Sequence, residues 1–145
     1  MNSLDANLLI YGVNRGCHEH AKAKAVYESM LETPTQWILS DQVLFEFYRG
    51  LRHPQILERP LTHTQALKQI TFLREKSGVL HCAYETSFWD LLIHGNKWKN
   101  NKSVHVFDRV LAITLVKHGV KTFYTRNTKD FETYPFDHLI NPIDE

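Results

Sequence analysis

The stretch V-H-V-F-D-R-V-L-A-I-T-L-V-K-H-G-V-K-T-F-Y-T-R-N-T-K-D-F, from Val104 to Phe131, decides the fold. Its first half is apolar on nearly every side from Val106 to Val116, which predicts a central helix covered by other elements. His118-Gly119 is a C-terminal stop signal, and Val120–Tyr124 is rich in residues that favour strands. A helix that leads directly into a strand is half of an α/β unit.

The rest of the chain continues this alternation of helices and strands. Further helices are predicted over Glu19–Leu31, Asp41–Arg52, Thr64–Lys76 and Glu85–Trp98, and a helical turn over Leu8–Tyr11 is expected to end at Gly12. Further strands are predicted within Met1–Leu9, leading into Asp5, and over Trp37–Leu39, Val79–Ala83 and His138–Ile140. Such alternation predicts a parallel sheet that is covered on both faces. No repeat or linker divides the chain, so we expect one domain over residues 1–145.

Composition and charge narrow the class of protein. The formal net charge is +1, so no global basic field indicates nucleic acid, and any such binding must use a local patch. Cys17 and Cys82 match no zinc or redox spacing, which fits free thiols in a reducing cytosol. No apolar run approaches the roughly 20 residues that span a bilayer, and the N-terminus lacks the features of a signal peptide. We therefore expect a cytoplasmic protein without a membrane segment.

Four acids are candidates for one site: Asp5, Glu46, Asp108 and Asp130. Asp5 and Asp130 each follow a predicted strand, at the sheet edge where α/β proteins bind ligands. Asp108 lies in a first helical turn, where the helix dipole favours a carboxylate. Glu46 lies about 200° round its helix from Leu44, away from the apolar stripe. Clustered carboxylates repel one another, and Mg²⁺ or Mn²⁺ relieves this repulsion while binding a phosphate-bearing substrate.

Each acid also has a purely structural explanation. Asp108 can be a helix-start acid, Glu46 a solvated surface residue, and Asp130 a turn cap beside Thr128. Asp5 is harder to explain in this way, because it follows the first strand and precedes L-L-I-Y. The individual signals are weak, and only the fold could bring these acids together.

Four segments taken together resemble the PIN-domain family, and within it the VapC-type toxins of bacterial toxin–antitoxin pairs. They are L-D-A-N-L-L-I-Y (Leu4–Tyr11), S-D-Q-V-L-F-E-F (Ser40–Phe47), V-F-D-R-V-L-A-I-T-L-V-K-H-G-V (Val106–Val120) and Y-T-R-N-T-K-D-F (Tyr124–Phe131). The resemblance implies a three-layer α/β/α sandwich with a central parallel sheet of about five strands. It also implies a Mg²⁺ or Mn²⁺ site and endoribonuclease activity, in which a metal-activated water hydrolyses RNA. The implied partners are the RNA substrate, a cognate antitoxin and a second copy of the chain in a homodimer.

The resemblance also assigns the site residues. Asp5, Glu46 and Asp108 match the three core acids, as metal ligands, and Asn7 and Thr125 match supporting polar positions. Many family members have an aspartate where this chain has Asn127, whereas the acid here is Asp130, three residues on. We expect Asn127 to orient Asp5 or a metal water, and Asp130 to be a weaker or second-metal ligand.

Basic residues near the acids are candidates for contacts with RNA. Arg126 lies in the predicted site loop, and its guanidinium suits bidentate binding of a phosphate. Arg49 and Arg109 either serve similarly or neutralise the acids. Lys97, Trp98, Lys99 and Lys102 either hold phosphate and stack a base or form a solvated helix end.

Two alternatives stay open at this stage. Apolar residues near Leu8–Tyr11 and in the helix predicted over Asp41–Arg52 either pack in the core or, by the resemblance, form a homodimer face or an antitoxin groove: Leu8, Leu9, Tyr11, Leu44, Phe45 and Phe47. The protein is either an active nuclease or a catalytically silent PIN-fold module that binds protein or RNA. An aspartyl phosphatase would need a second aspartate where Asn7 stands.

Overall fold

The computed structural model describes residues 1–84, 87–94 and 106–145. Its strands are β1 (Asn2–Leu4), β2 (Ile38–Ser40), β3 (Leu80–Cys82), β4 (Thr122–Tyr124) and β5 (His138–Ile140). Its helices are α1 (Ala6–Val13), α2 (His20–Glu32), α3 (Asp41–Leu51), α4 (His63–Thr71), α5 (Phe88–His94) and α6 (Val106–Lys117). Short 3-10 turns cover Pro34–Gln36 and Thr128–Phe131, and a π-helical turn over Phe72–Lys76 extends α4.

The predicted helices and strands are found, with ends that differ by a few residues. The first strand is shorter than predicted and ends at Leu4, because Asp5 caps α1, and α1 continues through Gly12 to Val13. The helix predicted over Glu85–Trp98 is seen as α5. Residues 85–86 and 95–98 of that prediction lie outside the described residues, as does the basic and aromatic segment from Lys97 to Lys102. None of the described helices combines the length and the apolar character that a membrane crossing requires.

All strand pairings among the described residues are parallel, which confirms the predicted α/β class. The pairings form a three-stranded sheet, β1-β4-β5, and a two-stranded sheet, β2-β3. The two sheets meet at a single bridge between Asn2 and Trp37 in the described chain, and the Ser3 hydroxyl donates to the Ile38 carbonyl at 2.6 Å. The expected sheet of about five strands is therefore divided three and two, and the hydrogen bond from Ser3 joins the two parts at this point.

Local signals fix the ends of the helices. The Ser40 side chain accepts a hydrogen bond from the Val43 amide and caps α3, and Thr62 caps α4 in a capping box. Gly119 follows α6 with φ of +79°, a left-handed conformation that glycine adopts easily. The predicted stop after the central helix is thereby confirmed.

Helix α6 is central over most of its length but not at its start. Residues Val110 to Leu115 are all buried, and α6 packs against α5, β2 and the Thr128–Phe131 turn. Its first turn differs from the prediction, because Val106 is 41% exposed and Phe107 is 67% exposed. These two side chains instead border an open apolar hollow with Phe88 and Trp89 of α5.

The structure separates core residues from surface residues among the apolar positions left open above. Leu8, Leu9, Leu44 and Phe47 are each no more than 4% exposed and belong to the main core. Phe45 is 67% exposed. Core packing therefore explains most of these positions, and Phe45 remains as a surface feature.

Candidate active site

A polar cleft opens at the carboxyl ends of β1 and β4. It has a volume of about 610 Å³ and is lined by Asp5, Ala6, Asn7, Ile10, Glu46, Arg49, Gly50, His53, Gln55, Ile56, Asp108 and Asn127. Three of the four predicted acids thus meet in one place, from the end of β1, the middle of α3 and the first turn of α6. This volume lies in the range of small-molecule sites and is sufficient for part of an extended polymer.

Asp5 is the buried acid of the three, at 8% exposure. Its Oδ1 accepts a hydrogen bond from the Ala6 amide at 2.7 Å, which caps α1, and its Oδ2 accepts one from Thr125 Oγ1 at 2.8 Å. Burial raises the pKa of Asp5 from its ordinary value of 3.8 to about 6, although the hydrogen bond from Thr125 opposes this shift. The negative charges of Glu46 and Asp108 raise the pKa further. The Asp5 carboxylate at the end of β1 is thus unfavourable to ionise in the folded protein unless a cation is bound nearby.

Glu46 and Asp108 face this carboxylate from two helices. Glu46 is exposed on α3, and Asp108 is half-buried in α6. Partial burial raises the pKa of Glu46, a hydrogen bond from Gln42 lowers it, the charge of Asp108 raises it, and Arg49 lowers it. Because the charge of Asp108 raises the pKa of both other acids, all three lie within electrostatic reach of one another.

The oxygen atoms of the cleft suit a hard divalent cation bound partly through water. Within the described ranges, no three His, Cys, Asp or Glu side chains lie close enough together to hold an ion directly. Mg²⁺ normally keeps several waters and needs only one or two carboxylates. The side-chain oxygen of Asn7 is also buried and has no hydrogen-bond partner among the described residues. The three carboxylates repel one another, and the Asn7 oxygen beside them has no partner among the described residues. Oxygen ligands of this kind are those that Mg²⁺ and Mn²⁺ prefer.

The loop after β4 supports Asp5 through Thr125 and Asn127. Thr125 is fully buried; its hydroxyl donates to Asp5 and accepts from the Asn127 amide at 3.1 Å. Asn127 is exposed and lines the cleft, whereas Asp130 is half-buried in the following 3-10 turn and is not among the lining residues. The structure therefore brings Asn127 to the cleft, and a metal-ligand role for Asp130 stays a prediction.

Arg126 lies in this loop but is turned away from the cleft. Its Nη1 donates to Glu19 Oε1 at 2.8 Å and to the Tyr11 hydroxyl at 3.3 Å, and its Nε is 3.5 Å from Asp144 Oδ2. Glu19 is 8% exposed, so its carboxylate needs a cationic partner. This placement argues against the predicted contact between Arg126 and RNA. Arg49, one of the two alternatives considered above, lines the cleft instead.

Sequence reasoning missed Gln42, a buried amide one helical turn before Glu46. Its Nε2 lies 2.9 Å from the Phe107 carbonyl oxygen and 3.4 Å from Glu46 Oε1. The i, i+4 spacing between Gln42 and Glu46 was the available signal, since residues four apart meet on one helix face. Nothing in the sequence indicated the contact with α6.

Comparison with known proteins identifies the family to which the chain belongs. A profile of the PIN domain matches residues 3–137. The chain belongs to the PIN-domain family. Ribonuclease VapC24 of Mycobacterium tuberculosis is 32% identical over 146 residues, which cover 99% of this chain and 97% of the relative. Ribonuclease VapC48 of the same organism is 24% identical over 141 residues, which cover 97% of both chains. The predicted membership of the PIN family, in its VapC-type branch, is confirmed.

Solved structures agree on the fold of this PIN domain. The crystal structure of Mycobacterium tuberculosis VapC20, described as a Sarcin-Ricin loop cleaving toxin, matches with a TM-score of 0.63 and 16% identity, covering 91% of this chain and 95% of that one. FitAcB from Neisseria gonorrhoeae matches with a TM-score of 0.64 and 19% identity, covering 100% of both chains. FitAB bound to the IR36 DNA fragment matches with a TM-score of 0.66 and 19% identity, covering 100% and 97%.

Proposed function

We propose that this PIN domain is a metal-dependent endoribonuclease of the cytoplasm and the toxin of a toxin–antitoxin pair. The observation that carries the proposal is the meeting of Asp5, Glu46 and Asp108 in one polar cleft, although they come from three separate elements. The names of the relatives support it, since VapC24 and VapC48 are named ribonucleases and VapC20 is described as cleaving the Sarcin-Ricin loop.

Asp5, Glu46 and Asp108 are the residues that would hold Mg²⁺ or Mn²⁺, with the unpaired oxygen of Asn7 beside them. The bound ion would supply an activated water and stabilisation of the charge that develops on the scissile phosphate. Thr125 fixes the orientation of the Asp5 carboxylate, and Asn127 supports that hydroxyl through its amide.

Arg49 is the side chain that we assign to phosphate binding. It is exposed, lines the cleft and lowers the pKa of Glu46, so its positive charge acts on the same space as the acids. A guanidinium binds two phosphate oxygens at once and orients the phosphodiester. Arg49→Gln is expected to weaken RNA binding with little effect on the binding of Mn²⁺.

An apolar groove between α3 and α4 supports the proposed protein partners. It has a volume of about 420 Å³ and is lined by Asp41, Leu44, Phe45, Tyr48, His63, Leu67, Ile70 and Arg74. Exposed apolar surface of this kind marks protein interfaces, and we assign the groove to the antitoxin or to a second copy in a homodimer. Phe45→Lys should reduce self-association or antitoxin capture, which light scattering and co-purification measure.

Cleavage of a labelled RNA panel in Mg²⁺ or Mn²⁺ tests the proposed activity. We expect cleavage to be lost in EDTA and in Asp5→Asn but retained in Asp137→Asn, which removes an exposed aspartate from outside the cleft. Cleavage that survives Asp5→Asn would refute the proposed site.

The second candidate is a catalytically silent module that binds RNA or protein. It is favoured by one observation: the described acids form no compact group of three. A folded protein that shifts labelled RNA in a gel, cleaves none of the panel and binds no Mn²⁺ would support this candidate over the nuclease.

A further inference from the structure

Gln42 joins two of the elements that carry the acids. It lies on α3, is 6% exposed, and its Nε2 reaches the carbonyl oxygen of Phe107 at 2.9 Å. Phe107 immediately precedes Asp108 in the first turn of α6. The same Nε2 lies 3.4 Å from Glu46 Oε1, a longer contact. One buried amide group therefore contacts both Glu46 and the backbone beside Asp108.

The orientation of this amide follows from its partners. A backbone carbonyl oxygen only accepts hydrogen bonds, so the side-chain nitrogen of Gln42, and not its oxygen, must face Phe107. The two hydrogens of the amide nitrogen then match its two acceptors, the Phe107 carbonyl and the Glu46 carboxylate. This orientation leaves Gln42 Oε1 buried with no partner among the described residues.

A buried polar atom without a partner lowers stability. An apolar side chain of similar length at position 42 would remove this unpaired oxygen. The Phe107 carbonyl would keep its own helical partner, since α6 continues for ten residues beyond it, to Lys117. As far as the described residues show, fold stability alone therefore gives little reason for a glutamine at position 42.

We propose that Gln42 is a positioning residue, which holds Glu46 and Asp108 at the separation that the divalent cation requires. The inference rests on the proposed function, because it assumes that the acids bind a metal ion. Some groups hydrogen-bond to metal ligands and orient them without touching the ion. Removing such a group typically lowers metal affinity 10–100-fold. Gln42 itself does not touch the ion in this proposal.

The test compares Mn²⁺ affinity with stability in the full chain. Mn²⁺ is titrated into four proteins: wild type, Gln42→Met, Asp5→Asn and Gln36→Met. Binding is measured by calorimetry or by the signal of free Mn²⁺ in electron paramagnetic resonance. Urea unfolding of each protein in EDTA is followed in parallel. Gln36→Met is the matched control, because Gln36 is exposed in the turn before β2, at the opposite end of that strand from the cleft.

We expect Gln42→Met to bind Mn²⁺ at least tenfold more weakly than wild type, while its unfolding midpoint in EDTA is equal or higher. Gln36→Met should match wild type in affinity, and Gln42→Leu provides a second apolar replacement if methionine packs badly.

Two outcomes would overturn the inference while leaving the proposed function intact. One is wild-type affinity in both apolar variants, and the other is an affinity loss matched by a fall in the unfolding midpoint, which marks a merely structural residue. Wild type that binds Mn²⁺ no better than Asp5→Asn would instead overturn the proposed metal site, and this inference with it.

Discussion

Replacing Asp5 with asparagine should stabilise the metal-free protein at neutral pH, although the same variant is expected to abolish the proposed activity. Asp5 is only 8% exposed, and the charges that act on its pKa, those of Glu46 and Asp108, are both negative. Ionising it in the folded protein is therefore unfavourable unless a cation is present. Asparagine has nearly the same shape and carries no charge, so it removes this penalty.

The magnitude follows from the two pKa values. The pKa of Asp5 is about 6 in the folded protein, against an ordinary value of 3.8. At about 1.36 kcal/mol per pH unit, the difference corresponds to roughly 3 kcal/mol. The folded state holds this proton more tightly than the unfolded state, so the stabilisation is fully present below pH 3.8 and is lost as the pH rises through 6. Above pH 7, wild type has lost almost all of it.

The assay is urea unfolding, followed by tryptophan fluorescence in EDTA, at intervals from pH 3.5 to pH 7.5. The free energy of unfolding of wild type should fall relative to Asp5→Asn by most of about 3 kcal/mol over this range. Asparagine also alters the hydrogen bond with Thr125. This change shifts the free energy of unfolding by the same amount at every pH, so it does not affect how that free energy varies with pH. Asp137→Asn controls for the loss of one exposed carboxylate. Parallel curves for wild type and Asp5→Asn would refute the reasoning.

Three further changes have definite expected results. Thr125→Val removes the hydroxyl that holds the pKa of Asp5 down, so the pH midpoint for Mn²⁺ binding should rise by about one unit. Gly50→Ala places a Cβ 2.9 Å from Ile10 Cγ1 and closer still to Cδ1, and should lower the free energy of unfolding by about 1–3 kcal/mol in a urea titration. Arg126→Gln removes the guanidinium from the buried Glu19 and leaves the imidazole of His18 beside this carboxylate. It should lower the unfolding midpoint while RNA affinity, measured by gel shift, stays unchanged.

Matched variants separate these effects from general damage. Thr125→Ser restores the hydroxyl and should restore the pH midpoint. Gly12→Ala meets its nearest atoms at 3.7 Å and should leave stability near that of wild type. Reduced RNA affinity in Arg126→Gln at unchanged fold would contradict the placement described above and support the original sequence prediction.

The strands, the helices and three acids could be predicted because each depends on local chemistry. Asp5 follows a strand, Asp108 starts a helix, and Glu46 lies off the apolar stripe of α3; the fold then brings them together. The direction of Arg126 depends instead on Glu19, far away in sequence, whose burial no local pattern reveals. The role of Gln42 depends similarly on a carbonyl of α6.

Exposure was the other property that sequence patterns could not decide. Leu44 and Phe45 are neighbours of similar hydrophobicity, yet one is 4% and the other 67% exposed. Helix geometry turns consecutive side chains by 100°, so the identity of the covered face depends on which element packs there. Val106 and Phe107 show the same effect, because apolar character on every side of α6 did not reveal that its first turn is uncovered.

The position of β1 in its sheet has a consequence for how the protein is made. β1 is synthesised before the other described strands, but its partner β4 begins only at Thr122, and Asp5 receives a hydrogen bond from Thr125. At 5–20 residues per second, synthesis of the intervening segment takes roughly 6–24 seconds. During that time the nascent chain can carry Asp5 and Glu46 without the strand that seats Asp5. The proposed ribonuclease would therefore acquire its site only after β4 and Thr125 have been synthesised, later than the helix that carries Glu46.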